Sequence, residues 1–251
     1  MPQKKSLQSS KMLFSHKFIE DFEVIKNLIK SGQNFALSRY ADGEFHVMNA
    51  LSCHGIDGWD VGPDHKVIAK DLTECFYCEE DNYFYGISCP CCDEVRHKWL
   101  KDKLKQDWKK VTYSNLFVNS NFPHVAKFFN ELERPVHLIV NQRGKDGEYP
   151  FKVSAKEYVP DDVITWYTEA KDSIIERYET LAKNSKDTLF FVSAGPLSEI
   201  IIYKMYKANP NNTYVDIGSA LDVWTHRKAT RSYQVPGATY SDKECFLESA
   251  S

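Results

Sequence analysis

No stretch of this 251-residue chain approaches the ~20 consecutive apolar residues that a membrane span requires, so no crossing helix is expected. An excess of one charge is missing as well. The 32 Lys and Arg face 35 Asp and Glu, a formal net charge of −3, which leaves no basic surplus for a nucleic-acid backbone. Lys98, Lys101, Lys103, Lys105, Lys109 and Lys110 are interleaved with Asp102 and Asp107, the pattern of a solvated helix face. The glycine turn at 193–196 lacks both the G-K-[ST] ending of a P-loop and a full G-x-G-x-x-G fingerprint. No apolar core follows the lysine-bearing residues 1–11, so a secretory signal is not expected. The seven cysteines would then be reduced thiols in a cytoplasmic protein. There is no internal repeat and no low-complexity linker. A chain of this length can bury about three quarters of its unfolded surface without a disulfide framework.

What is present is an alternation of two periodicities. Residues 18–29 place Phe18, Ile19, Phe22, Ile25, Leu28 and Ile29 on one helical stripe, stopped by Ser31-Gly32. A strand follows at 34–38, then a helix beginning at Phe45, a glycine- and aspartate-rich loop at 54–63, a helix at 64–75 and a strand at 83–87. Further helices are expected at 93–108, 122–132, 161–182 and 196–207, and strands at 111–118, 137–141, 152–158, 189–193 and 213–217. That order predicts an α/β fold, a Rossmann-like doubly wound and mostly parallel sheet with helices on both faces.

In such sheets ligands bind beyond the carboxyl ends of the strands. Asp42-Gly43-Glu44 is expected there, as a turn closing the first strand. Two carboxylates around a glycine suit Mg2+ or Mn2+, which take one or two protein carboxylates and complete an octahedron with phosphate and water. The same residues also suit a helix start, with Asp42 as N-cap and Glu44 facing the positive helix end. Ser193-Ala194-Gly195-Pro196 closes another strand, and its helix start could present amides to phosphate. Asp216 and Asp222 fall at and beyond the last strand, on the same edge as Asp42. Asp222 is the first candidate base for an acceptor hydroxyl and His226 the second. Arg39 and Arg143 lie at strand ends and could neutralise a diphosphate or form structural ion pairs.

Arg39-Tyr40-Ala41-Asp42-Gly43-Glu44 resembles the R-x-G-D-G-E segment of the GT-D fold glycosyltransferases, a former domain of unknown function. The Gly195-Pro196 turn, followed by Asp216-Ile217-Gly218-Ser219-Ala220-Leu221-Asp222, is similar to that family's G-P and D-I-G-x-x-D pattern. Ala41 stands where the family usually has glycine, and Ser219 where histidine is common. The resemblance covers roughly residues 18–225 and implies a GT-D-like domain there, flanked by a polar extension at 1–17 and an extension or lid at 226–251. It implies metal at Asp42 and Glu44, and nucleotide contacts at Arg39, Ser193, Gly195 and Asp216. The implied reaction moves a sugar from a nucleotide-sugar donor, expected to be a UDP-sugar, to a glycan or glycoprotein.

The cysteines carry a rival expectation. Cys75-x-x-Cys78 and Cys89-x-x-Cys92 have paired spacings like a structural Zn2+ site, with Cys91 to spare, although cysteine is often a small buried hydrophobe. A zinc-stapled α/β binding module is therefore one alternative function. Another Rossmann-like transferase, such as a methyltransferase, is the second.

Overall fold

A computed structural model describes residues 13–55, 58–62 and 65–235 of the chain. In chain order the helices are α1 (Phe18–Lys30), α2 (Asp42–Met48), α3 (Lys66–Cys75), α4 (Glu94–Lys103), α5 (Phe122–Asn130), α6 (Val163–Lys183), α7 (Ser198–Ala208) and the short α8 (Asp222–Thr225). The strands are β1 (Ala36–Tyr40), β2 (Cys53–His54), β3 (Asp60–Val61), β4 (Tyr83–Ile87), β5 (Val111–Tyr113), β6 (Val136–Asn141), β7 (Val153–Val159), β8 (Leu189–Ser193) and β9 (Thr213–Asp216). Seven strands form one sheet in the order β5-β4-β1-β9-β8-β6-β7, and each neighbouring pair is parallel. The expected α/β architecture is the observed one.

The central strands are buried along their whole length, as expected when helices cover both faces. Alternate residues of each strand feed different cores. Ala36 and Tyr40 of β1, with Tyr83 and Tyr85 of β4, pack with residues of α3, α6 and α7, whereas Phe35, Leu37 and Phe84 pack with α1 and α5. On the first side the strand tyrosines Tyr83 and Tyr85 keep their hydroxyls satisfied in the core. Tyr85 Oη donates to the Cys75 carbonyl at 2.8 Å, and Tyr83 and Ser38 share a 2.6 Å hydrogen bond.

Several boundaries differ from the sequence expectation. β1 runs on to Tyr40, and α2 starts at Asp42 instead of Phe45. β5 ends at Tyr113, because Ser114 and the following residues turn toward α5 with their own hydrogen bonds. Within the expected loop at 54–63, β2 and β3 pair as a small antiparallel ribbon. Of the two expected extensions, residues 13–17 pack onto the domain. Phe14 is fully buried edge-to-face on Phe84. The tail folds back too, where Gln234 Nε2 donates to the Ser219 carbonyl at 2.7 Å and Tyr233 shares a 2.7 Å bond with the Ser219 hydroxyl. Residues 1–12 and 236–251 lie outside the described part. Among the described residues no helix is long and apolar enough to cross a membrane.

Candidate metal and nucleotide site

Because all seven strands are parallel, their carboxyl ends share one edge, and most candidate residues follow from that. Asp42 and Glu44 occupy the first turn of α2, one residue beyond β1. Asp42 is exposed and Glu44 half-buried. Glu44 Oε2 accepts the Ala41 backbone N–H at 2.7 Å, so Glu44 does take the helix-capping role open to it. Ala41, not Asp42, is the N-cap. Capping alone does not account for the surroundings. Burial raises the Glu44 carboxyl to about 7, the Ala41 hydrogen bond opposes the rise, and the charges of Asp216 and Asp42 add to it.

Asp216, the last residue of β9, is 4% exposed and bonded on both oxygens. Oδ1 accepts the Gly218 N–H at 2.9 Å, and Oδ2 pairs with Arg39 Nε at 3.1 Å. Arg39 is itself buried, donating Nε to the Asp216 carbonyl and Nη1 to the Ser114 carbonyl. Its guanidinium presses on the Gly218 backbone. A Cβ at Gly218, where φ is +51°, would lie 1.8 Å from Arg39 Nη2, so no side chain fits there.

One member of this group escaped the sequence reading. Glu199, in the first turn of α7, is 1% exposed. Burial pushes its carboxyl well above the usual range, and Glu44 and Asp216 push it further. A hydrogen bond to Asp216 acts in the same direction, and its Oε2 is buried without a partner. The signal in the sequence is slight: a lone carboxylate opening a helix whose next residues are Ile200, Ile201 and Ile202. Asp42 and Asp216 thus act on Glu44, and Glu44 and Asp216 on Glu199, with the buried Arg39 paired to Asp216.

The other candidates are engaged differently. Ser193 Oγ donates to the Gly218 carbonyl at 3.0 Å, tying the end of β8 to the turn after β9. Gly195 has φ +55°, and a Cβ there would approach Trp59 Nε1 to 2.9 Å. The Trp59 indole, just before β3, stands over Gly195 and also lies against Gly43. The helix start after Pro196 offers fewer amides than expected, since those of Ala194, Leu197 and Ser198 already donate within the turn. Arg143, in the 3-10 turn after β6, reaches away to pair with Asp161 at 2.9 Å and is partly exposed. Asp222 opens α8 at 5% exposure and accepts the Thr230 hydroxyl at 2.6 Å, and His226 follows that helix, half-buried.

The cysteines do not assemble as their spacing suggests. Among the described residues the one group of three or more side chains able to hold a metal is Cys89, Cys91 and Cys92. Cys75 and Cys78 lie in the core against Tyr85 in the middle of β4, whose Oη bonds their backbone, and neither belongs to that group. Burial pushes the Cys75 thiol far up, which keeps it protonated and inert.

Two solved structures share this architecture. One is a selenomethionine-substituted structure of domain of unknown function 1792, and the other is described as showing that this highly conserved domain has a distinct glycosyltransferase fold. Each is 17% identical to this chain, with 88% of this chain and 87% of that chain covered, at TM-scores of 0.55 and 0.54. The chain therefore has a glycosyltransferase fold. No family model matches it, and no curated protein does.

Proposed function

We propose that this chain is a divalent-metal-dependent glycosyltransferase, moving a sugar from a UDP-sugar donor to a hydroxyl of a glycan or glycoprotein acceptor. The observation that carries the reading is the acidic group at the carboxyl edge. Glu44 is held near 7 by burial and by two neighbouring carboxylates, an arrangement that a divalent cation would relieve. The residues fit Mn2+ or Mg2+ by donor chemistry, being hard oxygens from Asp42 and Glu44, with the partnerless Glu199 Oε2 buried close by in the same group. Such an ion supplies Lewis-acid neutralisation of charge on a departing diphosphate.

The chain's own residues divide the remaining work. Arg39 fixes the Asp216 carboxylate and neutralises part of the acidic group, holding it compact. Asp216 in turn bonds the Gly218 amide, which sets the turn that faces the donor. Ser193 and Gly195 shape the adjacent turn, and Arg143 stands further along the edge as a cation within reach of solvent. Asp222 is assigned as base for the acceptor hydroxyl, and His226 is the second candidate.

Thermal melting with UDP, GDP and S-adenosylmethionine, each with and without Mn2+, tests the reading. A ligand at a hundred times its Kd adds about 2.7 kcal/mol, a shift of roughly 5–10 °C for a domain of this size. A Mn2+-dependent shift with UDP, lost in Asp42→Asn, is the expected result. A shift with S-adenosylmethionine alone would replace the reading with a methyltransferase, and no shift with any diphosphate would end it.

A further inference from the structure

Cys89-Pro90-Cys91-Cys92 lies between β4 and α4, at the same sheet edge as the carboxylates but on the neighbouring strand. Its backbone closes on itself, with the amides of Cys92 and Asp93 both donating to the Cys89 carbonyl at 3.3 Å. That turn brings the three Sγ atoms within 4.8 Å of one another, with Cys89 and Cys91 at 2.9 Å. Cys89 is 1% exposed, while Cys91 and Cys92 face solvent. Asn115, just after β5, donates its Nδ2 to Cys89 Sγ at 3.5 Å and to Cys92 Sγ at 3.8 Å. Amide donors aimed at sulfur are what metal thiolates require of their surroundings, because the hydrogen bond stabilises the anion.

We propose that Cys89, Cys91 and Cys92 form a zinc site, with three thiolate ligands and a fourth position open to solvent. Three thiolates at about 2.3 Å from a tetrahedral zinc are about 3.8 Å apart. The cluster needs only a small opening of the Cys89–Cys91 contact, for which exposed Cys91 has room. Binding releases the thiol protons to solvent, and no redox step is involved. The ligands come from a single four-residue turn, so the site is local and does not require Cys75 or Cys78. Its reach is longer, because α4 packs Trp99 edge-to-face on Phe45 of α2 at 5.1 Å, and Arg96 lies over the same ring. A metal that fixes the start of α4 thereby braces the helix that carries Asp42 and Glu44. The site stands independently of the glycosyltransferase reading.

Cobalt substitution in the full chain, reduced and stripped of metal, tests the proposal. Thiolate-to-Co2+ charge transfer arises from cysteine ligands and not from carboxylates, so Asp42→Asn should leave the band intact. The expected result is saturation at a single equivalent, displacement by Zn2+, and loss of the band in both Cys91→Ser and Cys92→Ser. These positions are exposed, and their variants should melt within a few degrees of metal-free wild type. Asn115→Ala should keep the band but weaken binding roughly tenfold to a hundredfold. Cys53→Ser, outside the cluster, should change nothing. Absence of the band in protein whose thiols are verified as reduced overturns the proposal. So does a band that survives the Cys91 and Cys92 changes.

Discussion

Arg39 and Arg143 stand along one edge of the same sheet, and the fold uses them in opposite ways. Arg39 is 8% exposed, locked to Asp216 and two backbone carbonyls. Arg143 pairs with Asp161 with both side chains more than a third exposed. A buried guanidinium has exchanged its water for fixed partners, so its loss strands a charge. An exposed one keeps water as an alternative partner. Position at a strand end therefore does not make an arginine a phosphate ligand. Arg39 is confined by the carboxylate and carbonyls it holds, whereas the Arg143 side chain keeps its contact with solvent.

The sharpest way to break this comparison is Arg39→Ala. Removing one partner of a buried pair costs about 3–5 kcal/mol, so the variant should melt far below wild type in chemical denaturation. A loss under 1 kcal/mol would mean that Asp216 is not confined as described. Next, Asp42→Asn should reduce transfer on the order of a hundredfold, about 3 kcal/mol of transition-state stabilisation, with melting nearly unchanged because Asp42 is exposed. Parallel loss of activity and stability would instead assign Asp42 to the helix start alone.

The third test uses pH. Glu44 has a folded value of about 7 against 4.5 for the free side chain, so the folded state holds the extra proton between those values. Metal-free protein should therefore lose stability as pH rises from about 4.5 to 7, by at most about 3 kcal/mol. Glu44→Gln should flatten that slope, and saturating Mn2+ should oppose it by binding the ionised form. The smallest effect belongs to Arg143→Ala, which should alter stability by less than about 1 kcal/mol. It should raise the donor KM while leaving kcat within about twofold, since a charge that binds ground and transition states alike affects KM. Steady-state kinetics separates this from a structural change.

The parts of the fold that the sequence made legible were those set by local periodicity. β4, β6 and β8 are runs of apolar residues with clear turns on either side, and α1 and α7 carry their stripes without interruption. Parallel neighbours then bring Asp42 and Asp216 to one edge. What pattern could not supply was contact between distant segments. Glu199 joins Asp216 only because α7 folds against β1 and β9, and in sequence it is an ordinary acid in a first helical turn. Trp59 reaches Gly195 across a ribbon too short to show alternation. The cysteine spacing was misleading for a similar reason. Two C-x-x-C pairs look equivalent in sequence, but a strand runs between them and only the second pair, with Cys91, gathers its sulfurs.

The wedge between Arg39 and Gly218 restricts residue 218 to glycine twice over. With the guanidinium seated against the backbone of residue 218, any side chain there collides with it, and the left-handed φ of +51° disfavours one even where space is open. Shortening residue 39 alone would therefore not free position 218. Alanine at 218 would have to displace the guanidinium of the arginine 179 positions earlier, along with its grip on Asp216, and would still carry the backbone strain.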